Sequence, residues 1–119
     1  MCKTIFVVDD NGTNLTIAEA MLEKEYSVIT LSSAERMFAI LDKIRPDLIL
    51  LDIEMPGMNG YDALRLLKAD GAYANIPVIF LTALAVSDIE AKIIGLGAAD
   101  YIIKPFSKAD LLNIVKKYL

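Results

Sequence analysis

At 119 residues, with 55% apolar and 24% charged, the chain has the size and composition of one globular domain, expected to span 1–119, and is too short for two ordinary ones. A net charge of −4 argues against a nucleic-acid surface; the lack of histidine removes the usual zinc constellations, and the single cysteine, Cys2, leaves no intramolecular disulfide. Charges and turn residues interrupt every apolar run before the ~18 residues that a membrane helix needs, and Met1-Cys2-Lys3 leads into a strand-like run rather than a signal sequence. A soluble, cytoplasmic protein is therefore expected, with neither nucleic acid nor membrane as a direct partner.

Along the chain, apolar runs alternate with helix-period stretches, the pattern of βα units around a parallel sheet. The first run, near 4–9, ends in Val7-Val8-Asp9-Asp10, and Leu15, Ala18 and Leu22 then keep helical spacing. A second strand is expected near 26–31. Ser32-Ser33-Ala34-Glu35 then sets a hydroxyl three residues before a carboxylate, a helix-start signal, and Ala34, Met37, Leu41 and Ile44 form the apolar stripe behind it. Arg45-Pro46-Asp47 breaks the chain before a third run, near 47–52, which ends in Ile49-Leu50-Leu51-Asp52.

Met55-Pro56-Gly57-Met58-Asn59-Gly60 follows as a loop whose glycines suit positive φ or close backbone approach. Its methionines suit gap-filling or partner docking. Ala63, Leu64 and Leu67 mark the next helix, and Ile76-Pro77 introduces a fourth strand, near 77–82, ending in Phe80-Leu81-Thr82. Ser87-Asp88-Ile89-Glu90 starts a helix carrying Ile89, Ile93 and Leu96, with Gly95 and Gly97 as breakers. The last strand, near 100–103, runs into Lys104-Pro105, and Ser107-Lys108-Ala109-Asp110 caps a helix carrying Leu111, Val115 and Tyr118. The fold class expected is α/β, a single three-layer doubly wound domain.

If the runs are buried parallel strands, their C-terminal ends open along one sheet edge, where three carboxylates, a hydroxyl and an ammonium converge. Asp9-Asp10 alone also reads as a turn or helix cap. With Asp52 beside the pair, however, three negative charges share a small volume, and two of them at ~4 Å repel by roughly 1–4 kcal/mol between the dielectrics of water and a protein surface. Mg²⁺ answers that need, because it takes a few oxygen ligands and keeps waters that a phosphate oxygen can replace. Lys104 supplies a second positive charge. With both present, Asp52 stays ionised as a nucleophile must, which permits an aspartyl phosphate. Thr82 is placed to donate to phosphoryl oxygens, although a β-branched residue also simply closes a strand, and Ala83 is small enough to leave the site open.

Asp9-Asp10, Asp52 within Leu50-Leu51-Asp52-Ile53-Glu54-Met55-Pro56-Gly57-Met58-Asn59-Gly60, Thr82-Ala83 and Lys104-Pro105-Phe106 together resemble the receiver domains of two-component response regulators, over essentially the whole chain. The resemblance implies a flavodoxin-like (βα)5 domain with a five-stranded parallel sheet in the order 2-1-3-4-5. It implies that Asp52 takes a phosphoryl group from a phosphohistidine on a histidine kinase or histidine phosphotransfer protein. Asp10, Asp52 and the Glu54 carbonyl would ligate Mg²⁺, Asp9 acting largely through a metal-bound water, while Thr82, Ala83 and Lys104 would contact the phosphoryl group. Lys104-Pro105 matches a bond that is cis in the family.

Tyr101 matches the aromatic partner of Thr82 in a switch, though a tyrosine at a strand end is also at home half-buried. The output face would be the helix near 87–96, the strand near 100–103 and the last helix, presented to a downstream effector protein or effector domain. Asn14 and Leu15 resemble the region that meets the phosphodonor. Such a protein is a signalling module that catalyses its own phosphorylation and dephosphorylation rather than an enzyme on external substrates, and Glu54 and Leu84 would tune its phosphate lifetime.

Three other readings fit less well. A Mg²⁺-dependent phosphohydrolase of the haloacid-dehalogenase type wants a second aspartate two residues after the nucleophile, where Glu54 stands, and usually a cap. A receiver-shaped interaction module independent of phosphorylation has no feature in its favour, since nothing the chemistry needs is missing. A flavin binder would meet carboxylates in Asp10-Asn11-Gly12-Thr13-Asn14, where its phosphate must sit. Gly95-Leu96-Gly97 lacks the third glycine of a dinucleotide fingerprint.

Overall fold

The computed structural model describes residues 2–83, 92–93 and 95–119. The strands are β1 (Thr4–Val8), β2 (Ser27–Leu31), β3 (Leu48–Asp52), β4 (Val78–Thr82) and β5 (Asp100–Ile103); the helices are α1 (Gly12–Leu22), α2 (Ala34–Leu41), α3 (Gly60–Ala69) and α4 (Lys108–Tyr118). All strand pairings are parallel, in the order β2-β1-β3-β4-β5, as the resemblance implies.

The period-two alternation of the strands sorts the core into two layers. Phe6, Val8, Ile49, Leu51, Val78 and Phe80 face α2 and α3, meeting Ala34, Met37, Leu41, Ala63, Leu64 and Leu67. Ile5, Val7, Leu48, Leu50, Ile79 and Leu81 face α1 and α4, meeting Ala18, Leu22, Leu111 and Val115. β3 and β4 are buried along their whole length, so they read as unbroken apolar runs, whereas β2 at the sheet edge stays partly exposed. Ile44 departs from its expected stripe because α2 ends at Leu41, which leaves it 38% exposed in the following turn.

Helix starts follow the hydrogen-bonding side chains. Ser107 and Asp110 form the expected capping box of α4. The start of α2 is displaced by one residue: Ser33, not Ser32, accepts from the Arg36 N–H, and the Glu35 carboxylate accepts from the Met58 N–H at 3.2 Å. Asn11 and Asn59 cap α1 and α3. The expected cap at Ser87-Glu90, Leu84 and most of the helix near 87–96 lie outside the described residues. Ile93 is buried and Leu96 packs against the same core layer.

Both uses expected of the loop glycines occur. Gly57 has φ +75°, and Gly60 lies so close to β3 that a Cβ there would stand 2.5 Å from the Asp52 carbonyl oxygen and 2.8 Å from Ile53 Cα. The Gly60 N–H also donates to the Ile53 carbonyl at 2.8 Å, closing the loop at its base. Gly60→Ala should therefore cost about 1–3 kcal/mol in urea unfolding through forced displacement of backbone. Gly12→Ala, where a Cβ meets nothing within 4 Å, should be neutral or slightly stabilising.

Candidate functional site

In this strand order the connections on either side of β1 and β3 leave on opposite faces, which opens a crevice beyond their C-terminal ends. Asp9 and Asp10 follow β1, Asp52 ends β3, Thr82 ends β4 and Lys104 follows β5. All five, with Asn11, Asn14, Glu54 and Ala83, line one cleft of about 200 Å³.

Asp9 is 1% exposed, Asp52 6% and Thr82 3%, while Asp10 faces solvent. The Lys104 ammonium stands 3.1 Å from Asp9 Oδ2 and 3.1 Å from Asp52 Oδ1, bridging the two buried carboxylates. Asp9 also accepts from the Asn11 N–H at 2.9 Å and from Asn14 Nδ2 at 3.2 Å. Burial first, and then the neighbouring Asp9 charge, push the Asp52 carboxyl up to about 6, with Lys104 pulling against both. Burial works to lower the Lys104 value, but its hydrogen bonds to Asp9 and Asp52 outweigh that and leave it raised.

One carboxylate oxygen from each of Asp9, Asp10 and Asp52 lies within 4.8 Å of the others. An all-oxygen set with a surplus of negative charge over the shared ammonium suits a hard divalent cation, and Mg²⁺ fits the donor chemistry. Glu54 borders the same space, but its side chain is exposed and outside the carboxylate cluster.

Lys104-Pro105 is cis, and its loop joins Ile17, Leu81 and Phe106 in a mostly apolar groove of about 440 Å³ that also takes in Asp9, Asn14, Ala83 and Lys104. Tyr101 is not in the cleft. It pairs with Phe80 two residues before the Thr82–Ile103 pair, partly buried against the α2/α3 layer. Met55 is 8% exposed within that layer, the gap-filling use. Asn11 was overlooked as a site residue, although Asp9-x-Asn11 has the spacing of an aspartate that accepts from the backbone two residues on.

The family profile described as response regulator receiver domain matches residues 5–116. The chain is 37% identical over 118 residues to the phosphate regulon transcriptional regulatory protein PhoB of Pseudomonas aeruginosa, covering 98% of this chain and 52% of that one. It therefore spans about half the length of that relative. It is 33% identical over 120 residues to the polar-differentiation response regulator DivK of Brucella anthropi, covering 100% of this chain and 98% of that one. Among solved structures, it resembles the receiver domain of a Pseudomonas aeruginosa sensor histidine kinase, determined with magnesium coordinated in the active site cleft, at TM-score 0.89 and 32% identity over 99% of this chain and 98% of that one.

The raised Asp52 value sets a sign for stability in the metal-free protein. Between the ordinary carboxylate range and about pH 6, the folded state keeps a proton on Asp52 that the unfolded chain has released, so stability falls as pH rises through that window. Solvent in the cleft screens the Asp52 charge, so Asp52→Asn should stabilise the metal-free protein at pH 7.5 by about 1–2 kcal/mol. The gain should vanish near pH 4, as urea unfolding at the two pH values would show.

Proposed function

The chain belongs to the response regulator receiver family, and from that premise we propose that Asp52 accepts a phosphoryl group from a phosphohistidine of a histidine kinase or histidine phosphotransfer protein. The reading is carried by one observation: the Lys104 ammonium lies 3.1 Å from both buried carboxylates at the mouth of a cleft where a third carboxylate converges. An Asp52 carboxyl at about 6 is mostly ionised at neutral pH, available as a nucleophile yet poorly neutralised.

An Asp52 oxygen attacks phosphorus as the phosphorus–nitrogen bond of the donor breaks, and the electron pair returns to the imidazole nitrogen. Lys104, already within hydrogen-bond distance of Asp52, follows the new negative charge onto the phosphoryl oxygens. The Thr82 hydroxyl donates to the same oxygens, and Ala83 leaves room for them. Asp10, Asp52 and the Glu54 carbonyl, with Asp9 behind them, would hold Mg²⁺; when bound, it offsets charge on the transferring group. The magnesium of the related kinase receiver supports the choice of ion.

The added charge of about −1.5 to −2 draws Thr82 toward it and leaves space for Tyr101 to turn inward, changing the surface formed by the segment near 87–96, β5 and α4. A downstream effector protein or effector domain reads that surface. The module acts on itself, catalysing its own phosphorylation and dephosphorylation, and does not contact nucleic acid directly. Among the described residues no helix is long and apolar enough to cross a membrane, and we infer a cytoplasmic location from the phosphohistidine donor.

Incubation with Mg²⁺ and acetyl phosphate should add one phosphoryl group by intact mass, labile to hydroxylamine, and none to Asp52→Asn. Rapid multiple turnover of phosphomonoesters would overturn the proposal in favour of a hydrolase. Lys104→Ala should still take up phosphate while its phosphorylation-dependent shifts at Tyr101, read by NMR, shrink several-fold. Unchanged shifts would remove Lys104 from the switch.

A further inference from the structure

The loop between β3 and α3 carries Glu54 along the wall of the cleft, and among the described residues a hollow lies on either side of that wall. Glu54 borders the 200 Å³ cleft inside and an open hollow of about 500 Å³ outside, where Met55, Pro56 and Tyr61 are its neighbours. The loop's course is therefore set by its anchors. One is the Gly60–Ile53 hydrogen bond at the base, and another is the Met55 side chain in the core. Beyond Met55 the chain passes through Pro56 and Gly57 to Met58, whose side chain packs against the α2/α3 layer and whose N–H donates to Glu35 Oε1 on α2 at 3.2 Å.

The same oxygen lies 3.3 Å from where a Cβ on Gly57 would stand, so the carboxylate is seated against the backbone at the positive-φ turn. The Glu35 carboxyl is held below its usual range by its own backbone N–H and by that of Met58, so the charged form is the one engaged. Glu35 is not one of the cleft's three carboxylates. Ser33 caps α2 by accepting from the Arg36 N–H, and its side chain also hydrogen-bonds the Glu35 carboxylate, which ties that carboxylate to the start of the helix.

We propose that Glu35 is a positioning residue for the metal side of the cleft: by holding the Met58 N–H from α2, it fixes the loop that presents the Glu54 carbonyl. This rests on the reading of the cleft as a Mg²⁺ site. Outer groups that orient a ligand commonly matter to metal affinity by a factor of ten or more. Here the oriented ligand is a backbone carbonyl and the outer group is a carboxylate on another helix.

Mg²⁺ titration of the intact chain, by calorimetry and by NMR shifts of the Glu54 amide, tests it with Glu35→Ala and Glu35→Gln. Both variants lose the charge, but only glutamine keeps an oxygen that can accept from Met58. Glu35→Ala should weaken Mg²⁺ binding about tenfold and speed hydrogen exchange at the Met58 amide, with the urea midpoint nearly unchanged. Glu35→Gln should recover most of the affinity. If Glu35→Ala binds Mg²⁺ as tightly as the parent, or if Glu35→Gln is as weak as Glu35→Ala, the assignment of Glu35 fails while the metal site stands. If the parent chain shows no saturable Mg²⁺ binding, both fall.

Discussion

The ammonium of Lys104 is what allows Asp9 and Asp52 to be buried side by side at the end of a parallel sheet. Each carboxylate lies 3.1 Å from it, and removing it would leave two nearly inaccessible negative charges facing each other. A buried pair of this kind is costly to break, since the partner left behind stays desolvated without compensation. The strand order supplies the rest of the arrangement: β1 and β3 bring the carboxylates together, β4 adds a hydroxyl beside them, and β5 delivers the lysine from the far side.

That compensation is incomplete. One shared ammonium faces three convergent carboxylates, Asp10 sits at the solvent side, and the Asp52 carboxyl is pushed well above its ordinary range. The resting site thus has unmet demand for positive charge. Beneath it, Ile49, Leu50 and Leu51 are fully buried and lead to Asp52 between the two core layers. Strands place the cleft's polar groups at or just past their ends, and loops form its outer walls.

Much of this was legible in the residues. Unbroken apolar runs ending in Asp9, Asp52 and Thr82 announced buried parallel strands with polar termini, because a strand covered on both faces has no alternation to hide its direction. The Ser107–Asp110 box and the glycines at 57 and 60 were equally readable, since caps and close approaches depend on neighbours in sequence. Contacts between distant segments were not. Glu35 looked like the last member of a capping box with Ser32, and only the fold shows that Ser33 takes the cap and that Met58 comes within reach. The Lys92 ammonium over the Tyr61 ring, 4.4 Å from its centroid, and the edge-on packing of Tyr61 against Phe80 likewise join residues whose spacing carries no local signal.

The Lys104 N–H donates to the Thr82 carbonyl at 2.7 Å, so the cleft's cation and its hydroxyl hang from opposite ends of a single ladder rung. The two strand ends thus form one bracket: β5 cannot slide along β4 without breaking the bond that sets Lys104 beside Thr82. An engineer who wished to change the spacing of these two groups would gain little leverage from the strands, whose register the ladder fixes. The connecting segments, whose backbones are tethered elsewhere, are where one wall of the chamber can be tuned while the bracket stays still.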